Sequence, residues 1–358
     1  MRTRVVAAVA VLGMSFAVPA HGAEGWREVA LPFLWPRNGV EGIGASGPSD
    51  VWIAGYQGSI PIFSPPLSTI VWTDGNPVVR RWDGTAWREY PLPGFSGDGR
   101  VTRVAASASG TWVLGRGNGA QGIYLARFAS GAFTRVAAPA GLSTATDLTA
   151  GPAGIWLSGV DSSSQVFLAR WDGAAWQRTP VPAGFFGLTS VTGTGANEAF
   201  ATGERVRPAP GQGTRYAALR WNGTSWSETA VPDQADGADG GLVSAAAAAP
   251  ADVWAVGAFS TASGSKLRRW NGSTWQSAPQ PAELPYPQRV VSDGAGRLWL
   301  AGQNEAGTTV LLRRTSTGWS VVPAPALRLT SITALPGADV LWAAGTTAND
   351  RTAVMTTP

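Results

Sequence analysis

The sequence predicts an all-β fold, a seven-bladed β-propeller with four antiparallel strands in each blade. Two repeated motifs and one absence point there. The first motif is a hairpin, Arg81-Trp82-Asp83-Gly84-Thr85-Ala86-Trp87, which returns with little change at 170–176, 220–226 and 269–275. Two looser copies follow the same plan, one with Phe128 and Phe133 as its aromatics, the other with Arg314 in place of the first tryptophan ahead of Trp319. The second motif sets an aromatic three residues before a glycine, seven times: Trp52/Gly55, Trp112/Gly115, Trp156/Gly159, Phe200/Gly203, Trp254/Gly257, Trp299/Gly302 and Trp342/Gly345. These aromatics stand 43 to 60 residues apart, a spacing in the range of propeller blades. The absence is helical periodicity, of which no useful length follows residue 23.

In chain order, Arg2 and Arg4 precede an apolar run over 5–18 and then Pro19-Ala20-His21-Gly22-Ala23. That layout predicts a secretory signal over 1–23, too short and wrongly flanked for a membrane span, with cleavage between Ala20 and Ala23. Thr3 between the arginines argues against a twin-arginine route, and the lack of Cys excludes lipidation through an N-terminal cysteine. The remaining 24–358 is expected to form one domain, secreted and either extracellular or associated with the cell wall.

Residues 25–32 read as the outer strand of a repeat, and 351–358 as the strand that precedes the turn. Together they supply the missing seventh hairpin, so pairing the two ends closes the ring and removes exposed edges. Within a blade, taking the fourth, the strands are expected at 188–194, 197–203, 216–222 and 225–231. The Asn-Gly and Asp-Gly dipeptides are expected to form two-residue type I′ turns. Inner strands are rich in Ala, Ser, Thr and Gly, as crowding near a central axis requires.

The formal net charge of +4 falls to about +2 once Arg2 and Arg4 leave with the signal, and no Lys/Arg run occurs, so nucleic acid is not an expected partner. With no Cys, stability must come from burial. One buried Trp removes roughly 150–250 Å² from water, about 4–6 kcal/mol by area. Sixteen of the 18 Trp occupy repeat positions and read as packing between blades; Trp35 and Trp72 do not.

At this point the units, typified by Asp252-Val253-Trp254-Ala255-Val256-Gly257 and Trp221-Asn222-Gly223-Thr224-Ser225-Trp226, resemble a group of bacterial secreted proteins built from DVWAVG…WNGxxW repeats. More distantly they resemble kelch-like and lectin-type seven-bladed propellers. The likeness covers the whole of 24–358 and implies architecture rather than activity, since propellers host binding, scaffolding and catalysis alike. The turns are also similar to a shortened Asp-box of sialidases, a structural motif there too.

Function is expected where the repeat is broken. The longest insertions, 56–76, 204–214 and 233–241, all open on one face. The same face collects aromatics that the repeat does not use: Phe33, Trp35, Phe63, Trp72, Phe95, Phe185, Phe186 and Tyr286. They can stack on sugar rings or tuck back as loop anchors. Aligned inner strands place Gly42, Arg103, Asp147, Ser190, Ser244, Arg289 and Ser331 at one level near the axis. There Arg103 and Arg289 can grip an anionic group, or join Asp147 in hydrogen bonds between blades. The candidate ligand-binding residues are therefore Trp35, Trp72, Phe185, Tyr286, Arg103, Asp147 and Arg289.

His21, the only His, lies at the cleavage site, which removes triads, His-based metal centres and His bases from consideration. Carboxylate chemistry of the glycosidase type needs two acids about 5–9 Å apart, with Glu41, Asp147, Glu204 and Asp233 near the long loops. Asp233, Asp236 and Asp239 can be read as a calcium loop, but their spacing of three suits a solvated turn better than an alternating ligand set. No metal and no cofactor is expected. The reading is of a secreted, non-catalytic, monomeric binding protein whose partner is an extracellular glycan or protein surface; the alternatives are a carboxylate-dependent glycan-cleaving enzyme and a pure interaction scaffold.

Overall fold

Seven four-stranded antiparallel sheets are arranged as a β-propeller in the computed structural model, which describes residues 25–358 except 65, 67, 118–121, 208–212, 233–238 and 259–265. The expected signal segment, Asp233 and Asp236 lie outside the described residues. No α-helix occurs among them. Blade 4 runs through Phe185–Gly195, Glu198–Val206, Thr214–Trp221 and Trp226–Thr229, within a few residues of the expected bounds.

Blade 7 is shared between the two ends of the chain. Arg328–Ala334, Leu341–Thr346 and Thr352–Thr356 are completed by Arg27–Glu28, with Arg27 opposite Thr356 and Glu28 opposite Met355. Trp26 is buried beside this pair and its indole N–H donates to the Pro323 carbonyl at 2.7 Å. Arg351 grips both oxygens of Glu28, at 2.5 and 2.8 Å.

The aromatics obey one rule. In five blades the aromatic of the second strand packs against the hairpin pair of the following blade: Trp156 lies 5.3 and 5.0 Å from Trp221 and Trp226. The same holds for Trp112 on Trp171 and Trp176, Phe200 on Trp270 and Trp275, and Trp342 on Trp82 and Trp87. Trp52 meets Phe128 and Phe133. Arg314, standing where a tryptophan is due, keeps the rule by laying its guanidinium 4.8 Å from the Trp254 ring centre beside Trp319, a cation–π substitute for an aromatic pair.

The polar motif residues serve the same joints. Asp252 Oδ1 accepts from the Trp254 indole at 3.0 Å and from Arg269 Nε at 2.6 Å, and Asp50 does the same for Trp52 and Arg81. The motif glycine faces a β-bulge in the inner strand. A Cβ on Gly203 would sit 2.0 Å from the Gly187 carbonyl oxygen, and one on Gly345 2.1 Å from that of Arg328.

The hairpin turns differ from expectation. Asn222 does not enter the left-handed region, whereas Gly223 does, at φ 100°, and Asn222 N–H donates to the Ser225 carbonyl. Glycine therefore takes the first central position, as in a type II′ turn. Asn222 stands at the corner, where its side-chain oxygen accepts from the Thr224 and Ser225 N–H groups and the Thr224 hydroxyl, each at 2.9 Å. Asp83 makes the same three contacts in blade 1.

Candidate functional site

Loops from second to third strands, and from one blade to the next, emerge on one face. Two of them meet at blade 1. The 56–76 insertion, expected as a loop, contains a hairpin of its own, Pro61–Ser64 paired with Thr69–Trp72. β-branched and aromatic residues at Ile62-Phe63 and Thr69-Ile70-Val71-Trp72 were the available signal. Ile60, Ile62, Phe63, Ile70 and Trp72 are all exposed on it. Beside the hairpin, Phe33 and Trp35 form an edge-on pair at 5.6 Å while remaining 72% and 62% exposed. Arg37 joins the two groups, its guanidinium 3.5 Å from the Trp72 ring centre.

This surface rests on a charged base. Arg100 donates to Glu41 at 2.7 Å and to Asp74 at 2.5 Å, and lies over the Tyr56 ring at 4.4 Å. Asp74, just past the hairpin, is thereby tied to blade 2, and its N–H also donates to Asp98. The apolar hairpin thus stands on a fixed footing.

Two of the expected platform aromatics are not there. Phe185 is 7% exposed, buried with Leu188, Trp221 and Trp226. Neighbours on a strand point to opposite sides, so Phe186 is the exposed ring at that corner. Phe95 is buried as well, stacked 4.4 Å from Tyr124 in the notch left by Gly99 and Gly115. Tyr286 is exposed, its hydroxyl donating to Glu305 at 2.9 Å and Lys266 lying 5.1 Å from its ring centre.

The aligned axial position has a structural cause. Every inner strand carries a β-bulge, and the residue after each one is Gly42, Arg103, Asp147, Ser190, Ser244, Arg289 or Ser331. Bulges re-aim side chains, and here they aim hydroxyls at the next blade. Ser190, Ser244 and Ser331 accept from the N–H groups of Ala245, Val290 and Ile43, at 3.1–3.3 Å. Arg103 Nε donates to Asp147 at 2.8 Å, joining blades 2 and 3. Burial pushes the Asp147 carboxyl above the usual range, opposed by the nearby Arg103. Arg289 of blade 6 lies near enough to feel both: burial and then the Arg103 charge hold its guanidinium below its ordinary value, with Asp147 opposing.

A cavity of about 740 Å³ occupies the opposite, short-loop mouth of the axis, walled mainly by Ala, Ser, Thr and Gly. The described acids are committed separately: Glu41 to Arg100, Asp147 to Arg103, and Glu204 to the Thr214 hydroxyl at 2.9 Å. Asp239 accepts from the Thr214 N–H at 2.9 Å, tying two long loops together. Among the described residues no group of three His, Cys, Asp or Glu is placed to hold a metal ion, and no helix is long and apolar enough to cross a membrane.

No family model matches the chain, and no curated protein matches its sequence. Solved structures share its fold at low identity. The β-propeller domain of the Trilobed protease from Pyrococcus furiosus, described as having an open velcro topology, superposes with a TM-score of 0.58 at 9% identity, covering 91% of this chain and 94% of that one. YCF48 bound to D1 peptide gives 0.53 at 13%, covering 93% and 96%. A puromycin-hydrolyzing peptidase of Mycobacterium tuberculosis gives 0.60 at 15%, covering 90% of this chain and 53% of that one. The chain is a seven-bladed propeller of a shape used by binding proteins and by parts of peptidases alike.

Proposed function

We propose that this is a secreted, non-catalytic binding protein that docks a protein partner on the long-loop face of blade 1. One observation carries the reading: Phe33, Trp35, Ile60, Ile62, Phe63, Ile70 and Trp72 are exposed together on a single blade. A solvent-facing apolar surface of this kind marks an interaction site, and exposed Trp and Phe are favoured anchors at interfaces. The chemistry favours protein over glycan. Sugar recognition sets rings beside free carboxylates and amides, whereas the hairpin segment 58–73 contains no charged or amide side chain and the acids beneath it, Glu41 and Asp74, are held by Arg100. That a propeller of similar shape is known with a peptide bound supports the same direction. Export rests on the sequence of 1–23 alone.

The test pairs the protein with its Trp35→Ala/Trp72→Ala variant, both captured on resin and presented with an extracellular protein extract and, in parallel, a glycan array. The expected result is a protein retained by the parent and lost from the variant at unchanged melting temperature. A saccharide bound by the parent and lost from the variant would replace the protein reading with a lectin-like one. Equal retention by both would remove this face from consideration.

A further inference from the structure

We infer a carboxylate-binding site at the long-loop mouth of the axis, centred on Arg289 and distinct from the blade 1 surface. The argument begins with the hydroxyl ring. In blades 4, 5 and 7 the post-bulge residue is a serine that holds the next blade's N–H. Blade 6 replaces that serine with an arginine, which has no acceptor to offer. The inter-blade bond is given up there, and a cation is placed in the mouth instead.

Arg103 and Asp147 satisfy one another, so the three side chains leave one net positive charge, at Arg289. Among the described residues Arg289 has no ion pair; its one hydrogen bond is from Nη1 to the adjacent Gln288 carbonyl, at a long 3.3 Å. Arg103 spends Nε on Asp147 and Nη1 on the Thr102 carbonyl. Such a forked donor, short of partners and open to the mouth, matches a carboxylate in shape and charge.

A cavity of about 250 Å³ adjoins Arg289, among the inner strands of blades 5, 6 and 7. Gln288, Thr330 and Ser331 give it polar edges, and Val243, Leu329 and Ile332 give it apolar walls. The volume and lining fit a carboxylate carrying a short apolar chain: the acid group on Arg289, the chain against the three aliphatic residues. Two sources share that chemistry, a free short-chain carboxylic acid and the C-terminal carboxylate of a polypeptide ending in an apolar residue.

The experiment is calorimetric titration of the purified protein with hexanoate, with a hexapeptide ending in a free leucine carboxylate, and with the same peptide amidated. Binding of hexanoate or of the free-carboxylate peptide is expected, and the stronger of the two identifies the source; the amide should not bind. Arg289→Gln should weaken binding at least tenfold and Arg289→Lys less. Asp147→Asn should tighten it severalfold, because it removes the competing carboxylate and raises the positive charge of the mouth. Circular dichroism melts establish that each variant is folded. Binding unchanged in Arg289→Gln, equal binding of the amide, weaker binding in Asp147→Asn, or no carboxylate bound by either the parent or Asp147→Asn would each overturn the site.

Discussion

Trp52 and Trp72 stand in the same blade and meet opposite fates. Trp52 is fully buried, its indole N–H held by Asp50 and its ring boxed by Phe128 and Phe133 of the next blade. Trp72 is 46% exposed, on a hairpin inserted into the repeat, with Arg37 over one face of its ring. What separates them is whether the neighbouring blade supplies a complementary pair. A residue inside the period has its partners supplied by the following blade, whereas one outside it is packed only where its own loop lays it on the core, as Phe95 is on Tyr124 and Trp72 is not.

The sharpest way to break this contrast is to truncate one ring of each kind. Trp156→Ala, which empties a joint between Trp221 and Trp226, should cost about 3–5 kcal/mol and lower the denaturant midpoint with little change in slope. Gly203→Ala should cost about 3 kcal/mol or more, since its Cβ would meet the backbone of Gly187 and Leu188 rather than a side chain that could turn aside. Trp72→Ala should cost only the cation–π contact, about 0.5–1 kcal/mol, yet abolish partner retention. If Trp72→Ala destabilises as much as Trp156→Ala, the hairpin is a packing element and the contrast fails.

The smallest effect concerns pH. Three hydrogen bonds, first from the Ala86 N–H and then from the Thr85 hydroxyl and N–H, hold the Asp83 carboxyl down at about 2. A depressed carboxyl contributes stability that is fully present above its unfolded value and lost as pH falls through its folded value. Asn222 and Asn271 make the same contacts without titrating. Asp83→Asn should therefore leave the melting temperature at neutral pH unchanged and reduce the drop between neutral pH and about pH 2. An undiminished drop would place the acid sensitivity elsewhere.

Most of the fold was legible because each blade restates the same packing problem. Even the closure could be read, since 25–32 and 351–358 each resemble half of a known hairpin. The turn was misread because Asn-Gly serves two geometries, and choosing between them depends on which residue the flanking Trp pair brackets. At the candidate site the sequence supplied residue types without sides. Phe185 and Phe186 are chemically alike, and only the strand's register decides that the first joins the core. The level shared by Arg103, Asp147 and Arg289 came from alignment, but the bulge that creates it has no local signature, and that Asp147 pairs with Arg103 rather than Arg289 among the described residues depends on strands from other blades.

The closure of blade 7 bears on the rates of folding and unfolding. Its ion pair joins residues 323 apart in the chain, so the loop-closure cost must be met before any of its contacts form. A contact of that kind is absent from early folding and contributes chiefly by slowing unfolding. The two-residue strand at 27–28 thus acts as a latch: weakening it should change the lifetime of the folded ring far more than the speed with which the ring assembles.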